Sequence, residues 1–131
     1  MQRTVVNPWT WSVAMGFNQA EVVEGAERVL FCSGQTSVDE NGAPQHADDM
    51  AAQIALALDN LETVLREADM GLANVVRLNI YTTDVDAFFA NYESAAARTA
   101  AAGVAPPGTL LGVARLAFPE LMVELEATAV A

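Results

Sequence analysis

With 131 residues, 53% of them hydrophobic, the chain is sized for a single domain, residues 1–131, whose core closes without disulfide or metal staples. A net charge of −11 repels polyanions, so nucleic acid is not an expected partner. All six basic residues are arginine, which excludes a Schiff-base lysine, a pyridoxal phosphate enzyme and a Walker-type phosphate loop.

One histidine and one cysteine cannot supply the nitrogen and sulfur ligands of a zinc site, so no metal is expected. No apolar run approaches the roughly 18 residues of a membrane span, and Met1-Gln2-Arg3 does not open a secretory leader. A cytoplasmic location with no membrane association is the expectation, and the lone Cys32 fits a reducing compartment. High apolar content without membrane signals points to burial against other copies of the chain.

Along the chain, Thr4-Val5-Val6 is strand-like, and Gln19 to Glu24 with Arg28 to Cys32 reads as a hairpin about the turn at Gly25. The polar stretch from Asp39 to Pro44 leads into a helix capped by Asp48 or Asp49. Ile54, Leu58, Leu61, Leu65 and Ala68 form its buried stripe, and Gly71 closes it. Val75 to Thr83 reads as a strand, and a second helix runs from about Asp84 to Ala102, closed by Gly103, with Phe88, Tyr92 and Ala96 inward. Pro106-Pro107-Gly108 then opens a last hairpin, Thr109 to Leu116 with Leu121 to Val130. The order ββαβαββ predicts an α+β fold, a mixed sheet with two helices on one face, whose other face needs a partner.

Four segments in this order resemble the RidA/YjgF family. They are Gly16-Phe17-Asn18-Gln19-Ala20, similar to its G-P-Y-S-Q-A; Cys32-Ser33-Gly34-Gln35, similar to T-S-G-Q; and Leu58-Asp59-Asn60-Leu61, similar to L-x-N-L/V. Val113-Ala114-Arg115-Leu116 with Val123-Glu124-Leu125-Glu126-Ala127-Thr128-Ala129-Val130 resembles its signature end. The resemblance implies a chorismate-mutase-like fold and a homotrimer with a barrel-like centre, whose three clefts are each shared by two chains. It also implies cofactor-free hydrolysis of reactive imines and enamines.

The family's P-x-R-S/T motif, whose arginine holds a substrate carboxylate, reads Pro106-Pro107-Gly108-Thr109 here. Losing one side of such a charge-assisted pair costs about 2–5 kcal/mol, so 2-imino acids are expected to be poor substrates. Arg115 is seven residues from Gly108, an odd offset that turns it to the opposite face of a regular strand, where it would pair with a carboxylate.

Glu124 matches the glutamate that positions water and is the catalytic candidate; a solvated strand glutamate is the alternative, and Glu126 shares its face. The substrate-binding candidates are Phe17, Ser33, Gly34, Gly108, Thr109, Leu110 and Asn91. Phe17 keeps an aromatic wall but lacks the family's tyrosine hydroxyl, Leu110 stands where relatives carry cysteine, and Gly34 permits close backbone approach. Cys32 reads as a buried small hydrophobe and His46 as a solvated loop residue, while Tyr92 fits the core stripe first and the cleft second. Trp9 and Trp11 fit either a subunit seam or the cleft mouth.

Two functions follow. One is hydrolysis or deamination of a small imine, enamine or related electrophile that needs no arginine-held carboxylate. The other is a non-catalytic ligand-binding or protein-interaction trimer. An RNA-cleaving role, a label some relatives carry, is disfavoured by the acidic balance.

Overall fold

The computed structural model describes all 131 residues, Met1–Ala131. In chain order the elements are β1 (Gln2–Val6), α1 (Trp11–Ala14), β2 (Ala20–Glu24), β3 (Val29–Phe31), β4 (Gln35–Thr36) and α2 (Met50–Glu67). After a 3₁₀ turn at Leu72–Asn74 come β5 (Val75–Thr82), α3 (Val85–Ala90), α4 (Glu93–Ala101), β6 (Leu110–Gly112) and β7 (Val123–Val130). The architecture is the expected α+β arrangement, a mixed sheet with helices on one face.

β7 organises the main sheet, pairing antiparallel with β3, β4 and β5, while β6 extends β5 in parallel. Its alternation separates two environments. Val123, Leu125, Ala127 and Ala129 are buried against α2, whereas Glu124, Glu126 and Thr128 face the uncovered side. On α2, Ile54, Leu58, Leu61 and Leu65 form the buried stripe, each such side chain stabilising by about 1.5–3 kcal/mol. Asp49 caps the helix by accepting the Ala52 N–H at 3.0 Å. The side chain of buried Gln53 donates to the carbonyls of His46 and Glu120 and accepts from the Met122 N–H, fastening α2 to the approach of β7.

Several boundaries differ from the sequence reading. The first hairpin does not form: β2 pairs with β1 in a separate two-stranded ribbon, and β3 pairs with β7. β1 supplies the competing edge, fixed when the Arg3 guanidinium bonds Glu21 at 2.5 Å and reaches the carbonyls of Ala73 and Val75. Gly71 does not close α2. Asp69 takes the left-handed turn at φ 56°, and Gly71 instead heads the 3₁₀ turn, its N–H accepted by the Asn74 side chain at 2.9 Å.

The second predicted helix breaks into α3 and α4 at Asn91, whose side chain turns back to the Ala87 carbonyl at 2.8 Å and competes with helix continuation. The last hairpin is also absent, because β5, α3, α4 and β6 make a crossover that sets β6 parallel to β5. Pro106-Pro107-Gly108 is the lead-in to this edge strand. Arg115 therefore lies outside any strand, exposed and without a carboxylate partner, with its Nε 3.3 Å from the Leu116 carbonyl.

Candidate functional site

The crossover leaves a cavity of about 160 Å³ between β5, β6 and the helices. Leu78 and Ile80 of β5 form its floor, and Phe88, Phe89, Tyr92 and Thr99 form its helical wall. Four predicted residues, Phe17, Gly108, Thr109 and Leu110, line it, and no charged side chain does. The Phe17 segment is held by the Phe17 N–H to the Ser12 carbonyl at 3.1 Å and the Asn18 N–H to the Ala105 carbonyl at 2.8 Å. Trp11 stacks edge-on against Phe17 with ring centres 5.7 Å apart. Asn91 does not line this cavity; its amide is engaged with Ala87.

Gly108 is fixed by its backbone. A Cβ there would lie 1.7 Å from the Leu78 carbonyl oxygen and 2.7 Å from its carbon. The flanking ladder, Leu78 N–H to Pro107 O at 3.1 Å and Ile80 N–H to Thr109 O at 2.9 Å, holds the strands at that approach. At the position that carries arginine in the family motif, a side chain fits here only if the β5–β6 backbone shifts.

The uncovered sheet face carries the other candidates. The Glu124 carboxylate lies over Gly34, where a Cβ would fall 1.8 Å from its Oε1, so a glycine is what lets the two meet. Neither carboxylate oxygen of Glu124 is hydrogen-bonded within the chain. Ser33 stands exposed beside Gly34. Glu126, by contrast, accepts from Asn79 Nδ2 at 2.9 Å and from the Tyr81 hydroxyl at 3.1 Å. These bonds, Asn79's first, hold its carboxyl below the usual carboxylate range, and the same bond pushes the Tyr81 phenol up. Asn79 also accepts the Thr109 N–H at 3.1 Å, linking this face to the cavity's edge.

Register separates the two groups. Leu110 aligns with Ile80 and Leu125 on the helix-covered face, whereas Glu124 aligns with Tyr81 on the opposite one. Within one chain, Glu124, Ser33 and Gly34 therefore face away from the cavity of Phe17, Gly108, Thr109 and Leu110.

Sequence reasoning missed the Asn79–Glu126–Tyr81 cluster, although the alternation of Arg77, Asn79 and Tyr81 marks a polar strand face. For Tyr92 it ranked the core ahead of the cleft, and the ring serves both. That ring packs on Phe88 at 4.9 Å and reaches the cavity as well, and burial pushes its phenol up. Burial likewise raises the Cys32 thiol, as suits an inert residue. His46 is an exposed loop residue, and no three His, Cys, Asp or Glu side chains converge as metal ligands. No helix is long and apolar enough to cross a membrane.

Comparison with known proteins bears on this geometry. The family profile described as Endoribonuclease L-PSP matches residues 11–131. The mitochondrial protein mmf2 of Schizosaccharomyces pombe is 36% identical over 94 residues, 71% of this chain and 70% of that protein. The crystal structure of YyfB, a Yersinia pestis protein of unknown function from the conserved Rid family, superposes with a TM-score of 0.88 at 35% identity, covering 100% of both chains. Rv2704 of Mycobacterium tuberculosis, from the YjgF/YER057c/UK114 family, superposes with a TM-score of 0.67 at 30% identity, covering 99% of this chain and 100% of that one.

Proposed function

The chain belongs to the Endoribonuclease L-PSP family, the RidA/YjgF family its motifs resemble, and from that premise we propose that it hydrolyses a small imine, enamine or related electrophile lacking a carboxylate. The observation that carries this reading is the free Glu124 carboxylate, seated over Gly34 with no partner of its own.

The working site is completed by a second copy of the chain in a homotrimer. The uncovered sheet face supports that assembly, because it presents Phe31, 79% exposed, and Leu111, 49% exposed, beside the polar cluster. Glu124 of one protomer then meets the cavity of its neighbour. It takes one proton from water as the oxygen adds to the imine carbon and passes it to the nitrogen, giving a carbinolamine; it then takes the hydroxyl proton and delivers it to the amine as the carbon–nitrogen bond breaks and the carbonyl forms. The products are a carbonyl compound and ammonia. The backbone amides beside Gly34 polarise the substrate, and Phe17 with Leu110 holds its apolar part.

A matched pair of substrates tests this. Ethanimine and 2-iminopropionate, each generated in situ, differ by a carboxylate, and ammonia release is followed for both. We expect acceleration for ethanimine, a loss of about 10²- to 10⁴-fold in Glu124→Gln, and little effect on 2-iminopropionate. Equal turnover by Glu124→Gln, or none by wild type, refutes the hydrolase. The second reading, a non-catalytic ligand-binding trimer, is favoured by the close-packed Gly108 backbone, which leaves no arginine clamp. It predicts ligand binding without turnover. RNA cleavage by the same samples would overturn both readings, against the net charge of −11.

A further inference from the structure

We propose that the cavity beside β6 seats a neutral, six-membered-ring-sized apolar group of the substrate, with the substrate's polar end turned outward past Thr109. This names the substrate class of the site in the preceding section and rests on that reading. Three observations carry it: size, lining and the disposition of free hydroxyls.

At about 160 Å³ the cavity has room for a benzene ring. The walls are mainly Leu78, Ile80, Phe88, Phe89 and Leu110, and no charged group reaches it, so a buried carboxylate or ammonium would find no counter-ion. The polar side chains at the cavity are unevenly available. Thr99 already donates to the Ala96 carbonyl at 3.0 Å, whereas Tyr92 and Thr109 have hydroxyls with no partner in the chain. Thr109 is exposed and Thr99 buried, so a ligand that is apolar at its buried end and hydrogen-bonds beside Thr109 matches that pattern.

Binding is measured without turnover, by ¹⁹F NMR titration of the full chain with fluorobenzene and with 4-fluorobenzoate. We expect saturable binding of fluorobenzene at one site per chain, and at least about tenfold weaker binding of 4-fluorobenzoate. Leu110→Phe fills the cavity and abolishes fluorobenzene binding. Phe89→Ala removes a wall whose ring is 56% exposed, so the core stays intact, and weakens binding severalfold. No saturable binding by wild type, equal or tighter binding of 4-fluorobenzoate, or unchanged affinity in a folded Leu110→Phe or Phe89→Ala chain overturns the assignment. A chain that binds fluorobenzene but accelerates neither imine refutes the hydrolase and upholds the cavity. A chain that hydrolyses ethanimine without binding fluorobenzene does the reverse.

Discussion

Gly108→Ala and Gly34→Ala add the same methyl group into equally little space, and the structure predicts opposite consequences. At position 108 the new Cβ falls 1.7 Å from a backbone oxygen, that of Leu78, which cannot rotate away. Relief requires β6 to move off β5, straining the bonds from the Leu78 and Ile80 N–H groups to Pro107 and Thr109. Overpacking of this kind costs about 1–3 kcal/mol, and each weakened ladder bond about 1 kcal/mol more. A net loss of about 3 kcal/mol lowers the melting temperature by roughly 10 °C. At position 34 the new Cβ meets the end of the Glu124 side chain, 1.8 Å from Oε1 and 2.6 Å from Cδ. That side chain swings to another rotamer for about 1 kcal/mol or less. Its carboxylate then leaves its place, and displacement by about an ångström costs roughly 10²-fold in rate. Thermal unfolding followed by circular dichroism, beside ammonia release from ethanimine, separates the two effects. A Gly108→Ala chain melting within about 2 °C of wild type, or a Gly34→Ala chain that melts far lower, refutes the packing argument.

Replacing Gln53 by Ala removes three buried hydrogen bonds and leaves the Met122 N–H and Glu120 carbonyl unpaired, so urea unfolding should show a loss of about 3 kcal/mol. Asn79→Ala should raise the Glu126 pKa toward the ordinary carboxylate range, and Tyr81→Phe should raise it less, as read by carbon-detected NMR titration. Because the folded-state value is lowered, the stability from these bonds is present above the ordinary carboxylate pKa. It is lost as pH falls through Glu126's own lower value, so Asn79→Ala should flatten that acid limb. Phe31→Asp, which places a charge on the uncovered face, should shift the native mass from trimer to monomer.

Local patterns in the sequence determine the parts of this fold that are governed by local periodicity. The stripe from Ile54 to Leu65 and the alternation from Val123 to Ala129 each identify an element and its buried face. Pairing was less legible, because strand partners depend on distant edges. Arg28 to Cys32 had a plausible neighbour in Gln19 to Glu24, yet β1 takes that neighbour and β7 takes β3. The break at Asn91 arises from one side chain bonding its own helix, and it sets Tyr92 where its ring touches both core and cavity. For the candidate site, the motifs named Phe17, Gly34, Gly108, Leu110 and Glu124 as residues of one kind of cleft, and only strand register divides them between two faces of the sheet. The carboxylate resting on Gly34 and the carbonyl against Gly108 are through-space contacts, invisible to spacing. Likewise, the absent arginine is legible in the sequence, but the steric exclusion at Gly108 is not.

The central claim is that Glu124 of one protomer serves the cavity of another. Refolding an equal mixture of Glu124→Gln and Leu110→Phe chains and measuring ethanimine hydrolysis tests it most directly. Each variant alone should be inactive, and random assembly of mixed trimers should restore about a quarter of the wild-type rate, the share of interfaces that combine an intact Glu124 with an intact cavity. Mixed trimers that form, as read by native mass, and remain inactive would contradict the account.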